Sequence, residues 1–138
     1  MPTIDFSIVR PYVGIPPNAD PMVAVRLIRI DEPKKNVRAL ALVDSGADHC
    51  LFQSGLGERL GLDLDDLPVV TGRTAGGRIE IPVCRLKVEL LHQVFECQVG
   101  FLDEERLKHN LLGRQGIFDQ IQLGFRESRL EFYFRWEP

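Results

Sequence analysis

Residues 39–52 read Ala-Leu-Ala-Leu-Val-Asp-Ser-Gly-Ala-Asp-His-Cys-Leu-Phe, which sets Asp44, Ser45 and Gly46 between two apolar runs. A carboxylate costs heavily to bury unless it is paired or hydrogen-bonded. Ser45 offers a hydroxyl, and Gly46 offers an unhindered N–H and a tight turn, both suited to holding such a group. A held carboxylate is the kind of group that general acid–base chemistry uses. Asp-Ser-Gly also makes ordinary hairpin turns, so the weight of the tripeptide comes from its place at the end of an apolar strand with a second apolar run behind it.

The elements that must carry this turn read mostly as strands. Met22 to Ile30 alternates and is rich in Val, Leu and Ile, Asp31 to Asn36 reads as a turn, and Val37 to Val43 completes a hairpin that delivers Asp44 to its end. Ala47 to Phe52 is expected to continue as a third short strand. Ser54 reads as the N-cap of a short helix through Leu60, with Gly61 as its stop. Leu62 to Leu67 carries Asp63, Asp65 and Asp66 at a spacing that matches no calcium loop, so it reads as a solvated connector. Residues 69–81 read as strand, glycine-rich tip and strand. The tip, Thr74-Ala75-Gly76-Gly77, opens no helix and lacks the Lys-Ser/Thr of a nucleotide loop, which leaves a mobile β-hairpin. Arg85 to Leu91 and Val94 to Phe101 form a further hairpin around His92-Gln93. Asp103 to His109 reads as a polar loop or helical turn. Leu111-Leu112-Gly113-Arg114 leads into a helix expected over Gln115 to Ile121, ended by Gly124. Arg129 to Trp136 is a final strand with Leu130, Phe132 and Phe134 on one face.

Composition narrows the partners. The 138 residues, 44% apolar, suit one domain, residues 1–138, with a real core. A net charge of −3 argues against nucleic acid as a partner. Lys34, Lys35 and Arg38 lie beside Asp31 and Glu32 and read as a solvated hairpin tip. No stretch reaches the length of a membrane span and the first residues show no secretory pattern, so no membrane partner and a cytoplasmic location are expected. Cys50, Cys84 and Cys97 are odd in number, widely spaced and set in apolar or strand-like runs. They are expected to be buried reduced thiols, with no metal and no cofactor. A cysteine nucleophile would want a histidine partner, and the sequence places none of His49, His92 and His109 against a cysteine.

Three motifs in order resemble the retropepsin-like aspartic proteases, including their cellular single-domain relatives. They are the apolar pair before Asp44-Ser45-Gly46-Ala47-Asp48, the hairpin tip around Thr74-Ala75-Gly76-Gly77, which looks like the family's flap, and Leu111-Leu112-Gly113-Arg114 before a short helix. Together they span about Leu40 to Ile121. The chain departs from the family at Cys50, where Thr is common and where a hydroxyl that might bond across the strands is lost. It also departs in the helix at Ser54 to Leu60, and in the five prolines of Met1–Pro21, which have no counterpart.

The resemblance implies an all-β fold: a closed barrel of the retropepsin-like acid protease type with one or two short helices. It implies an aspartic endopeptidase acting on a peptide or protein substrate. That chemistry needs two carboxylates in hydrogen-bond reach, which share a proton because both cannot ionise cheaply. This chain holds one Asp-Ser-Gly, so the second comes from the same residue of a homodimer related by a two-fold axis. The catalytic set is then Asp44, Ser45 and Gly46. Leu42, Ala47, Asp48, His49, Thr74, Ala75, Gly76 and Gly77 are the expected substrate-binding residues, and Gly113 and Arg114 the structural support. Asp48 and Arg114 are expected to form an ion pair that fixes the turn. The Phe- and Trp-rich strand Arg129 to Trp136 is expected at the dimer edge. Two other readings compete: a catalytically inactive peptide-binding or dimerisation domain of the same fold, and an unrelated β-barrel binder in which Asp44 is only a turn residue.

Overall fold

Alternating apolar residues build the strands, and the computed structural model describes residue 6, residues 8–74 and residues 76–136. The strands are β1 (Ile8–Pro11), β2 (Met22–Arg29), β3 (Asn36–Val43), β4 (Cys50–Gln53), β5 (Val69–Thr74), β6 (Gly77–Leu90), β7 (Gln93–Leu102), β8 (Asn110–Leu112), β9 (Ile121–Arg126) and β10 (Glu131–Trp136). One α-helix, α1 (Ser54–Arg59), follows β4. Six strands run in the order β2-β3-β8-β4-β7-β6, and β6 pairs back onto β2 to close a barrel. β5 pairs with β6 outside that ring, and β1-β10-β9 form a separate three-stranded sheet. The fold is the all-β closed barrel of the retropepsin-like kind. Among the described residues no helix is long and apolar enough to cross a membrane.

The core fills the barrel and the space under the small sheet. Leu27, Ala41, Phe52, Leu86, Leu112 and Ile117 are fully buried. From β10, Phe132 and Phe134 join them edge to face, with centroids 5.2 Å apart. β10 is therefore not a free edge for a second chain. Over Glu131–Phe134 it is paired on both sides, and its phenylalanines are spent on the chain's own core. Among the described residues, the strands open on one side in this sheet are β1 and β9.

Local chemistry moved several boundaries from their expected places. Residues 47–49 are not a strand, and β4 begins only at Cys50, because the Ala47 and Asp48 carbonyls accept N–H groups from the segment after β8. Ser54 is the first helical residue instead of the cap, and Gly61, at φ +76°, makes the turn after α1 as expected. The β6–β7 turn falls at Leu91-His92, one residue early, and both residues take the positive φ that a primed two-residue hairpin needs. The helix over Gln115 to Ile121 is absent. A single π-type turn, Arg114–Phe118, stands there, broken by extended Gln115 and by Gly116 at φ +104°. Ile121, Leu123 and Phe125 instead follow the strand period, and Gly124 lies mid-strand opposite Tyr133.

A residue that the sequence did not single out pins three strands together. Asn110, 8% exposed, donates Nδ2 to the Leu40 carbonyl at 2.9 Å and accepts the Gln53 N–H on Oδ1 at 2.9 Å. Asn110→Ala leaves both backbone groups without their partner at a largely buried position. The expected cost is about 2–3 kcal/mol, read as a lower urea midpoint at unchanged slope. A midpoint equal to the wild type's would mean that the pin is dispensable.

Candidate active site

Asp44 leaves the end of β3 where that strand runs parallel to β8. Its N–H donates to the Leu112 carbonyl at 3.1 Å, and its own carbonyl accepts the Ala47 N–H at 3.1 Å. The half-buried carboxylate accepts the Gly46 N–H on Oδ1 at 2.9 Å. A Cβ added at Gly46 would come to 3.2 Å from that same oxygen, so glycine supplies both the donor and the room. Ser45 and Gly46 are exposed beside it.

The turn hangs from the segment after β8. Arg114 N–H donates to the Ala47 carbonyl and Gln115 N–H to the Asp48 carbonyl, each at 2.9 Å. Gly113 passes so close to His49 that an added Cβ would lie 2.3 Å from the His49 carbonyl oxygen and 2.5 Å from its carbon. The buried Gly113 N–H donates to Cys50 Sγ at 3.4 Å. The cysteine thus supplies the cross-strand acceptor that the sequence seemed to have lost with the hydroxyl.

The Cys50 thiol itself donates to the Gln115 carbonyl at 3.9 Å. Hydrogen bonds, first from Cys97 and then from the Gly113 N–H, hold the Cys50 thiol below its ordinary range against the opposing effect of burial. The same hydrogen bond, together with burial, pushes Cys97 up. All three cysteines are free thiols, and Cys50 and Cys97 are buried, as expected, while Cys84 is only partly covered.

Asp48 and Arg114 come together but do not pair. Both are exposed, and they line one cavity of about 610 Å³ with Ser45, Phe118, Leu123 and Phe125. Among the described residues no ion pair joins them. An ion pair at such exposed positions is worth little, and the backbone bonds already fix the turn.

The other expected site residues divide by face. Ala41 and Val43 point into the core, while Leu42 is half-buried on the opposite side with exposed Leu40. Leu42 is in register with Leu111, which faces Leu51 on β4. Leu111 and Leu51 pack against Ile81, Val83, Leu102 and Leu107 at the base of the β5–β6 hairpin. A row of leucines therefore leads from the Asp44 strand to that hairpin. Ala47 is half-buried in the turn. His49 is exposed and lines a different cavity, of about 560 Å³, with Arg85, Glu96 and Cys97. At the hairpin tip Thr74 pairs with Gly77, whose φ of +116° favours glycine, and Gly76 lies in the turn. Ala75 lies outside the described residues.

Residues 28–115 match a family model described as aspartyl protease. That span takes in β3, the Asp44 turn, the hairpin and Gly113 to Gln115, and it is more than half of the chain. The chain belongs to this aspartyl protease family, which is of the retropepsin-like kind. Among curated proteins none matches it.

Gly113→Ala tests how tightly the two segments depend on each other. The new methyl must displace the His49 backbone, so the variant is expected to lose about 1–3 kcal/mol in thermal or urea unfolding. A variant as stable as the wild type would show that the contact relaxes freely.

Proposed function

We propose that this protein is an aspartic endopeptidase that works as a homodimer, activating water between the Asp44 carboxylates of two chains. The observation that carries this reading is the single carboxylate held by the Gly46 N–H at the β3–β8 junction, with exposed Ser45 beside it. One carboxylate does only half of the chemistry. Two at close range share a proton, so one takes a proton from water while the other donates to the carbonyl oxygen of the peptide. The water adds to the carbonyl carbon, and collapse of the tetrahedral intermediate breaks the C–N bond as the amine takes up a proton. The chain's own residues supply the rest by position. Gly46 leaves room for the peptide backbone, and the row from Leu42 to Leu51 offers an apolar wall for its side chains. The hairpin ending in Thr74–Gly77 closes over it and excludes water.

The second chain is placed on the side where the turn is exposed. Ser45, Asp48 and Arg114 form a polar rim there, and Phe118, Leu123 and Phe125 give the same cavity an apolar wall. Phe125 is 43% exposed on β9, a strand open along one edge among the described residues. An isologous contact built on this face brings each Asp44 turn toward its symmetry mate.

Asp44→Asn should reduce peptide hydrolysis by on the order of 10³-fold or more while leaving unfolding nearly unchanged. Activity equal to the wild type's would remove Asp44 from the mechanism. The dimer adds a second measurement. Activity per chain should fall on dilution, and Phe125→Asp should move that fall to higher protein concentration. A strict monomer with undiminished activity would overturn the two-chain site.

The pH profile follows from the shared proton. Raising the pH ionises both carboxylates and removes the acid, and lowering it protonates both and removes the base. A bell-shaped kcat/KM with an acidic optimum is expected. Activity that rises through neutrality to an alkaline plateau would contradict a carboxylate dyad.

A further inference from the structure

The thiol pair behind the turn is not used by the peptidase chemistry. Cys50 on β4 and Cys97 on β7 are 0% and 2% exposed. Gly116 packs against both: a Cβ placed there would lie 2.6 Å from Cys97 Cβ, 3.2 Å from Cys97 Sγ and 4.0 Å from Cys50 Sγ. Both sulfurs therefore flank one point in the π-type turn. They differ in their outward connections. Cys97 lines the cavity of about 560 Å³ that His49 and Arg85 also line, which gives a small neutral molecule a way in. Cys50 accepts the buried Gly113 N–H, one residue before the two N–H groups that hold the Asp44 turn.

We propose that Cys50 and Cys97 are an oxidative modification site, a dithiol that a peroxide converts to a disulfide, and that closing it releases the Gly113 N–H and loosens the Asp44 turn. The peroxide enters beside Cys97. Cys97 sulfur attacks one peroxide oxygen, the O–O bond breaks, and the departing hydroxide takes up the thiol proton to leave as water. Cys97 is then a sulfenic acid. Cys50 sulfur attacks it, the S–S bond forms, the S–O bond breaks, and the hydroxide leaves as water with the Cys50 proton. Two thiols are oxidised by two electrons, and one hydrogen peroxide is reduced to two waters. Cys50 sulfur, drawn toward Cys97, no longer meets the Gly113 N–H, which is left buried without an acceptor. A thiol reductant restores the starting state.

The effect on peptide hydrolysis rests on the proposed function, whereas the disulfide and the freed amide do not. The test treats the full chain with hydrogen peroxide, maps the disulfide by mass spectrometry of the digested protein, and follows exchange of the Gly113 amide by NMR. The expected result is a cross-linked pair of peptides carrying Cys50 and Cys97, with Cys84 outside it. Gly113 exchange should be about tenfold faster, the loss of one hydrogen bond of usual net strength. Both changes should reverse with dithiothreitol and should be absent in Cys97→Ser and in Cys97→Ala. Peroxide that leaves Cys50 and Cys97 unlinked, or that links either to Cys84, overturns the site. A Cys50–Cys97 disulfide with unchanged Gly113 exchange overturns the coupling to the turn. In active protein, hydrolysis should fall with the same time course as the disulfide forms. If the reduced protein hydrolyses no peptide, the peptidase reading fails, and disulfide mapping and amide exchange still decide this proposal.

Discussion

The site depends on two stretches of backbone lying directly against each other. The turn after β3 and the segment after β8 are joined by Asp44 N–H to Leu112, Arg114 N–H to Ala47 and Gln115 N–H to Asp48. Such an approach leaves no space for a side chain, which is why Gly113 stands against the His49 carbonyl. Backbone bonds of this kind are satisfied without regard to side-chain charge, so the position of Asp44 is set before any ionisable group takes part. The barrel delivers the two stretches: β3 and β8 are parallel neighbours, and Asn110 ties β8 to β3 and to β4 at its start.

Much of this was legible in the sequence because it rests on period and on glycine. The β2–β3 hairpin, the hairpin with its tip at Thr74–Gly77 and the final strand follow from alternation, and all were found within a residue or two. The Asp-Ser-Gly turn and Gly113 were legible as residue types that only a close approach requires. What was hidden depends on distant partners. Ala47 to His49 has the composition of a strand, but its backbone groups bond to Arg114 and Gln115, which no local pattern records. The stretch after Gly113 was read as a helix ended by Gly124. The signal against it was present, since Ile121, Leu123 and Phe125 alternate and Gly116 breaks any helix through it. Gly124 fits a strand because the Phe6 ring packs 3.1 Å from where its Cβ would be.

The expected ion pair and the expectation that the β10 aromatics are spare for a second chain misread the chain for one shared reason. Residue type was taken as a sign of surroundings. A charged residue inside an apolar run need not be buried, and Asp48 and Arg114 are both exposed. Aromatic residues on a terminal strand need not be spare, and Phe132 and Phe134 are buried in the chain's own core. In the same way Cys50 was read as the loss of an acceptor, whereas its sulfur occupies the acceptor's place.

β6 is continuous for 14 residues, from Gly77 at the hairpin tip to Leu90 at the far end of the barrel wall. Its second half is clamped on both sides, by β2 and by β7, while its first half pairs with β5. Mechanically this is a cantilever without a joint. Displacement at the tip has to be taken up as distributed bending and twist along the beam, vanishing toward the clamp near Val83. The stiffness of the overhang is then set where β5 braces it, at Gly72, whose missing side chain lets Ile81 lie flat across the pair.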